Sequence, residues 1–246
     1  MAVRPGEADQ QQMGIFSRIV RALAGGAGKV GAAVSGLRAA LAGFTDAEMR
    51  RQAAFAIAMI GLSAKMAKAD GVVTKPEVDA FCRIFSIPPG EERNVSRVYN
   101  LAKRDIAGFE SYARDVARHF ADDTDMLEAI LDGLFDIAKA DGAVHERELA
   151  YLARVAELFG FDEVLFARIR ARHVLEDGAD PYLVLAADPS WDFSRLRRHY
   201  RQLVSESHPD RLIARGVPEE FLRIANDRLA AINVAWERIE RIRAPA

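Results

Sequence analysis

Ala67-Lys68-Ala69-Asp70-Gly71 closes one long apolar stretch of this 246-residue chain, and the same five residues return as Ala138-Lys139-Ala140-Asp141-Gly142. Glu77 and Glu148 each follow their aspartate by seven residues, so the two copies share one offset of 71 residues. Each copy reads as helix, Asp-Gly turn, helix, with the glycine suited to the left-handed backbone at a helix end. Thr74-Lys75-Pro76-Glu77 restarts a helix with a cap, an early proline and a box glutamate. In the second copy His145 stands where Thr74 stood and is a poorer cap. Upstream, Thr45 with Glu48 forms a capping box ahead of the apolar run Ala53–Ala69, and Asp123 or Thr124 caps a helix from Asp125 to Ala140. No alternating runs rich in Val, Ile and Thr break this pattern, so the expected fold class is all-α. Two related hairpins would bury the stripes Ile57/Ile60/Ala64 and Ile130/Leu134/Ile137 in one bundle.

Residues 1–12 are polar and expected to be disordered. Residues 13–43 are rich in Gly and Ala and carry Arg18, Arg21, Lys29 and Arg38 without an acidic residue. Ile15, Phe16, Ile19, Val20 and Leu23 share a helical face there, but the four cations interrupt any span of about 18 apolar residues that a membrane crossing needs. A Gly-broken lead-in is the favoured reading, with an interfacial helix as the rival. The expected location is cytoplasmic, with at most peripheral contact at the inner membrane. A net charge of −2 disfavours nucleic acid as a partner. The single cysteine, Cys82, excludes an internal disulfide and reads as a small core residue.

Beyond a polar linker at 176–180, the chain changes character. Phe193, Leu196, Tyr200 and Leu203 mark one apolar helix face, while Arg195, Arg197, Arg198 and Arg201 crowd the others. His208-Pro209-Asp210 follows, where the proline stops the helix and biases His208 toward extended backbone. Pro218 is expected to start a last helix presenting Phe221, Ala225, Ile232, Trp236 and Ile239. Two such helices would form an antiparallel hairpin with an exposed tip.

These residues carry two resemblances. The duplicated Lys-Ala-Asp-Gly turns, each followed by Glu, make residues 46–165 similar to the TerB-like helical domain (tellurite-resistance type B). Pro181-Tyr182-Leu183-Val184-Leu185, the basic helix, His208-Pro209-Asp210-Arg211 and Ala231-Ile232-Asn233-Val234-Ala235-Trp236 together resemble a J-domain, closest to the DjlA-like branch. The implied organisation is an N-terminal segment 1–43, a TerB-like bundle 44–175, the linker 176–180 and a J-domain 181–246. The implied function is that of a co-chaperone, not an enzyme, stimulating ATP hydrolysis by a DnaK-type heat-shock chaperone, while the bundle recruits a client or a location. His208, Pro209 and Asp210 would contact the ATPase domain and its linker. Arg197, Arg198 and Arg201 would dock on an acidic patch, with Tyr200 and Arg211 nearby; guanidinium groups suit carboxylates because they bind them in a bidentate manner. Ser205-Glu206-Ser207 departs from the more basic or aromatic residues usual before the tripeptide, and Ala186–Asp192 lengthens the loop ahead of the basic helix.

A second function class is a metal-sensing or stress-response module carrying a J-domain. Asp70, Glu77, Asp141 and Glu148 could converge about a pseudo-twofold axis, and oxygen ligands suit a divalent cation such as calcium. Aspartate before glycine and glutamate in a first turn are also ordinary capping chemistry, the reading these residues favour. No other cofactor is implied: the five histidines lack metal-ligand spacing and no phosphate loop is present.

Overall fold

The computed structural model describes residues 46–69, 75–84, 87, 90, 92–93, 95–96, 108–140, 142–173 and 180–243. Its described elements are helical, as expected. Helix α1 (Ala47–Ala69) is the axis of an N-terminal bundle. Asp46 caps it, its carboxylate accepting from the Met49 amide at 2.8 Å. The cap is therefore one residue later than the expected Thr45, which lies outside the described residues. Every residue from Ala53 to Ala67 is buried, so this stretch of α1 has no solvent face and needs partners all round. Around it stand α2 (Lys75–Ile84), α3 (Phe109–His119), α4 (Thr124–Ala138), α5 (Glu146–Leu158) and α6 (Glu163–His173). Asp123 caps α4 by accepting from the Met126 amide, as its position suggested. Tyr112 of α3 and Tyr151 of α5 fasten the bundle to its axis, donating to the Ile57 and Leu62 carbonyls at 2.8 Å each. Cys82 is buried in this core.

The expected stripes face each other here: Ile57, Ile60, Ala64, Ile130 and Leu134 are buried, and Ile137 packs at the edge. Gly142 takes the left-handed backbone expected of it, at φ 125°.

The C-terminal unit comprises α7 (Pro181–Val184), α8 (Phe193–Glu206), α9 (Pro209–Arg215), a 3-10 turn at Glu219–Phe221 and α10 (Arg223–Arg243). Tyr182, Val184, Leu185, Leu196, Ile232, Trp236 and Ile239 make its own core. Trp236 is the centre of that core, stacked on Tyr200 at 4.7 Å and on Phe193 at 5.5 Å. Three expectations need correction. The final helix starts at Arg223, because the chain first turns through the 3-10 segment after Pro218. The connection after His208 is also no short loop, since α9 and the turn fill it. Phe221 and Ala225, expected to face the hairpin, instead enter the bundle core together with Leu212, Val217 and Ile224. Among the described residues no helix is long and apolar enough to cross a membrane.

Candidate functional site

The basic helix α8 ends at Glu206, capped at its start by Asp192, whose carboxylate accepts from the Arg195 amide at 2.8 Å. His208 then takes extended backbone (φ −65°, ψ 136°) and becomes the N-cap of α9, with Pro209 at its first position. A proline fits there because the first turn of a helix has no use for its missing N–H. The His208 Nδ1 accepts from the Asp210 amide at 3.3 Å, and the Asp210 carboxylate lies 3.4 Å from the same nitrogen. His208 and Asp210 remain largely open to solvent, with side chains 53% and 82% exposed. The tripeptide thus presents an imidazole and a carboxylate in fixed relation at the start of a short helix.

Beside it, Arg197, Arg198, Arg201 and Arg211 are all exposed. Arg197 lies over the Phe193 ring at 5.0 Å; Arg198, Arg201 and Arg211 have no ion-pair partner among the described residues. Such a face can receive several carboxylates without first breaking internal pairs. Tyr200 differs from its neighbours. Its ring stacks on Trp236 and its hydroxyl donates to Asn233 Oδ1 at 3.0 Å, so it holds α8 to α10.

A second polar constellation lies inside the molecule, and its residues carried no role in the sequence reading. Glu128, Asp132 and Asp136 form a stripe on α4, one helical turn apart, and all are buried. Arg168, Arg172 and His173 of α6 face it. Arg168 and Arg172 both donate to Glu128 Oε1. His173 stacks on Phe135 at 4.8 Å, and its Nε2 meets Asp132 Oδ1 at 2.8 Å while its Nδ1 meets Lys139 Nζ at 3.1 Å. The remaining partner comes from the C-terminal unit: Arg228 of α10 grips Asp132 Oδ2 through Nε at 2.8 Å and Nη2 at 2.7 Å. Burial alone would raise the Glu128 carboxyl, but Arg228, Arg172 and Arg168 outweigh it and hold it at about 2. Asp132 is likewise opposed by burial and is driven far below the usual carboxylate range by Arg172 and Arg228, helped by His173. The stripe opens at one end to a cavity of about 690 Å³ beside Lys139 and Gly142, and at the other to a cleft of about 360 Å³ beside Arg211.

Of the four carboxylates considered for a cation, only that of Glu148 lies within the described residues. Asp70 and Asp141 lie outside the described residues, as does the side chain of Glu77. The Glu148 carboxylate accepts from the His145 amide at 2.9 Å, which is capping chemistry at the position where His145 was expected to be a poorer cap. Among the described residues no group of three or more His, Cys, Asp or Glu is placed to hold a metal ion.

Residues 56–171 match the family model of tellurite resistance protein TerB. Fold and match together define a TerB-like helical domain with a further helical unit packed on it. Over a longer span, the chain is 28% identical to co-chaperone protein DjlA of Photobacterium profundum across 217 residues, 78% of each protein. It is 27% identical to that of Vibrio parahaemolyticus across 80% of each, and 24% identical to that of Escherichia coli (strain K12) across 79% of this chain and 81% of the relative. The chain as a whole is DjlA-like. No solved structure matches it.

Proposed function

We propose that this protein is a co-chaperone whose residues 181–246 act as a J-domain, stimulating ATP hydrolysis by a DnaK-type chaperone. The observation that carries the reading is the exposed His208-Pro209-Asp210 corner at the end of an arginine-rich face, in a chain similar over most of its length to DjlA co-chaperones. In this reading Arg197, Arg198 and Arg201 draw the chain onto an acidic surface of the partner, and Arg211 extends that surface past the tripeptide. His208 and Asp210 then contact the ATPase domain and its linker and favour hydrolysis. The chain is a regulator and does no chemistry itself; the bundle recruits a client or a location. The protein works in the cytoplasm, with at most salt-sensitive contact at the inner membrane through residues 13–43. Liposome binding that survives high salt and disappears on deleting residues 1–43 would replace that location with a true anchor.

The deciding experiment is single-turnover ATP hydrolysis by the cognate DnaK-type chaperone with purified full-length protein. His208→Gln should abolish stimulation and leave the circular dichroism spectrum unchanged, because the imidazole is exposed and contributes little to packing. Undiminished stimulation by His208→Gln would overturn the assignment.

A further inference from the structure

The helix that begins with the tripeptide is seven residues long, too short to hold a direction alone in water. Its orientation must come from what it packs on, and that is the bundle. At its C-terminal end the Arg215 guanidinium bridges two carboxylates at the start of α4, reaching Asp123 through Nη1 and Asp125 through Nη2 at 2.7 Å. Both carboxylates are themselves favoured there by the α4 N-terminus, so the anchor point is fixed. Gly216 follows in left-handed backbone at φ 94°, and a Cβ on it would lie 2.8 Å from the Cβ of Arg51 on α1. Only a glycine lets the chain pass this close. Leu212 and Val217, on either side of this tether, are buried in the bundle core, and Phe221 closes the segment edge-on against Phe55 at 5.1 Å.

We propose that the bundle is the positioning element of the tripeptide, with Arg215 as the positioning residue that ties α9 to α4. This rests on the proposed function and adds how the docking corner is aimed. The tethered side of α9 carries Leu212 and Arg215, and the open side carries Asp210, Arg211 and Ala214. A partner chaperone therefore meets the tripeptide from one side only, with α8 on its flank and the bundle behind.

Arg215→Asp in the full chain tests this, alone and with Asp125→Arg, which exchanges the charges across the tether. Two measurements are made. Hydrogen exchange of the Arg211 and Gly216 amides, bonded to the His208 and Ile213 carbonyls, reports the order of α9 without any partner. Single-turnover ATP hydrolysis, titrated with the co-chaperone, separates half-saturation from maximal stimulation. Arg215→Asp should speed exchange at both amides and lower maximal stimulation roughly three- to tenfold, since small displacements of a positioned group cost rate steeply. Half-saturation should change far less, because the docking arginines of α8 are untouched. The charge exchange should restore both readouts at least halfway. Unchanged amide exchange in Arg215→Asp, or loss not recovered by the exchanged pair, would overturn the positioning role. Absence of stimulation by the unaltered chain would instead refute the functional reading, while amide exchange still decides whether the bundle holds α9.

Discussion

Arg228→Met removes a strut of the buried stripe that originates in the C-terminal unit. The Arg228 and Asp132 side chains are 8% and 2% exposed and meet through two contacts under 3 Å. Deleting one partner of a buried pair costs about 3–5 kcal/mol, because the other charge stays buried without full compensation. Asp132 keeps Arg172 at 3.3 Å and His173 at 2.8 Å, which places the expected loss near the lower limit, about 3 kcal/mol. For a chain of this size that is a fall in Tm of roughly 6–12 °C. Methionine fills much of the arginine stem's volume, so a cavity contributes little. Urea unfolding at neutral pH gives the loss directly, and a double-mutant cycle with Asp132→Asn isolates the pair. A coupling of roughly 0.5–3 kcal/mol is expected for residues in such contact. A variant as stable as the parent, or additive losses, would show that Arg228 is not a lock between the units.

Acid should weaken the same lock. Glu128 and Asp132 both titrate below their ordinary range in the folded chain, so their contribution is complete above the unfolded carboxylate pKa and is lost as pH falls through the folded one. For Glu128 that window runs from its usual 4.5 down to about 2; a stability that stays flat over that range would contradict the network. ATPase stimulation should decline with added salt, because charges on an exposed helix face are screened beyond about 10 Å at 0.1 M. Joint reversal of Arg197 and Arg201 should mimic high salt, and a salt-independent response would remove them from the docking surface. Burial pushes the Cys82 thiol up to about 11, with Glu92 and Asp79 adding to the shift, so a disulfide reagent at mildly alkaline pH should label it only slowly until the chain is unfolded. Rapid labelling of the native protein would place that thiol outside the core.

Much of this architecture was legible because it follows local rules. The repeated Asp-Gly turns, the Asp123 cap and the apolar stripes of α1 and α4 act over one or two helical turns; the cap, the stripes and the Gly142 turn all stand in the structure. The arginine face of α8 and the extended His208 were equally local. What escaped the sequence was tertiary. Glu128, Asp132 and Asp136 recur every four residues, which on an isolated helix reads as a solvated edge, and Arg168 and Arg172 repeat that spacing. In the fold the two faces turn toward each other, Arg168 and Arg172 meeting Glu128, and Arg228, almost a hundred residues beyond Asp132, completes the set. A hint was available: acidic and basic runs of equal spacing on two helices of one bundle can satisfy each other. Phe221 and Ala225 were assigned to the wrong core for a related reason, since periodicity gives a face but not its neighbour.

Gly133 shows what the contact between the two units means for anyone who would separate them. A Cβ there would lie 2.7 Å from the Met59 side chain on one side and 2.8 Å from Ile224 on the other, so α4 is pressed between the bundle axis and the last helix. A fragment ending near residue 175 would uncover that strip of α4, the outer edge of Phe55 and four carboxylates that each lose a guanidinium: Glu128 and Asp132 lose Arg228, Asp123 and Asp125 lose Arg215. Apolar surface newly opened beside unpaired charge adheres to many proteins without selectivity. Baits for finding the client are therefore better made by disabling His208 in the intact chain than by cutting the chain at the boundary its sequence suggests.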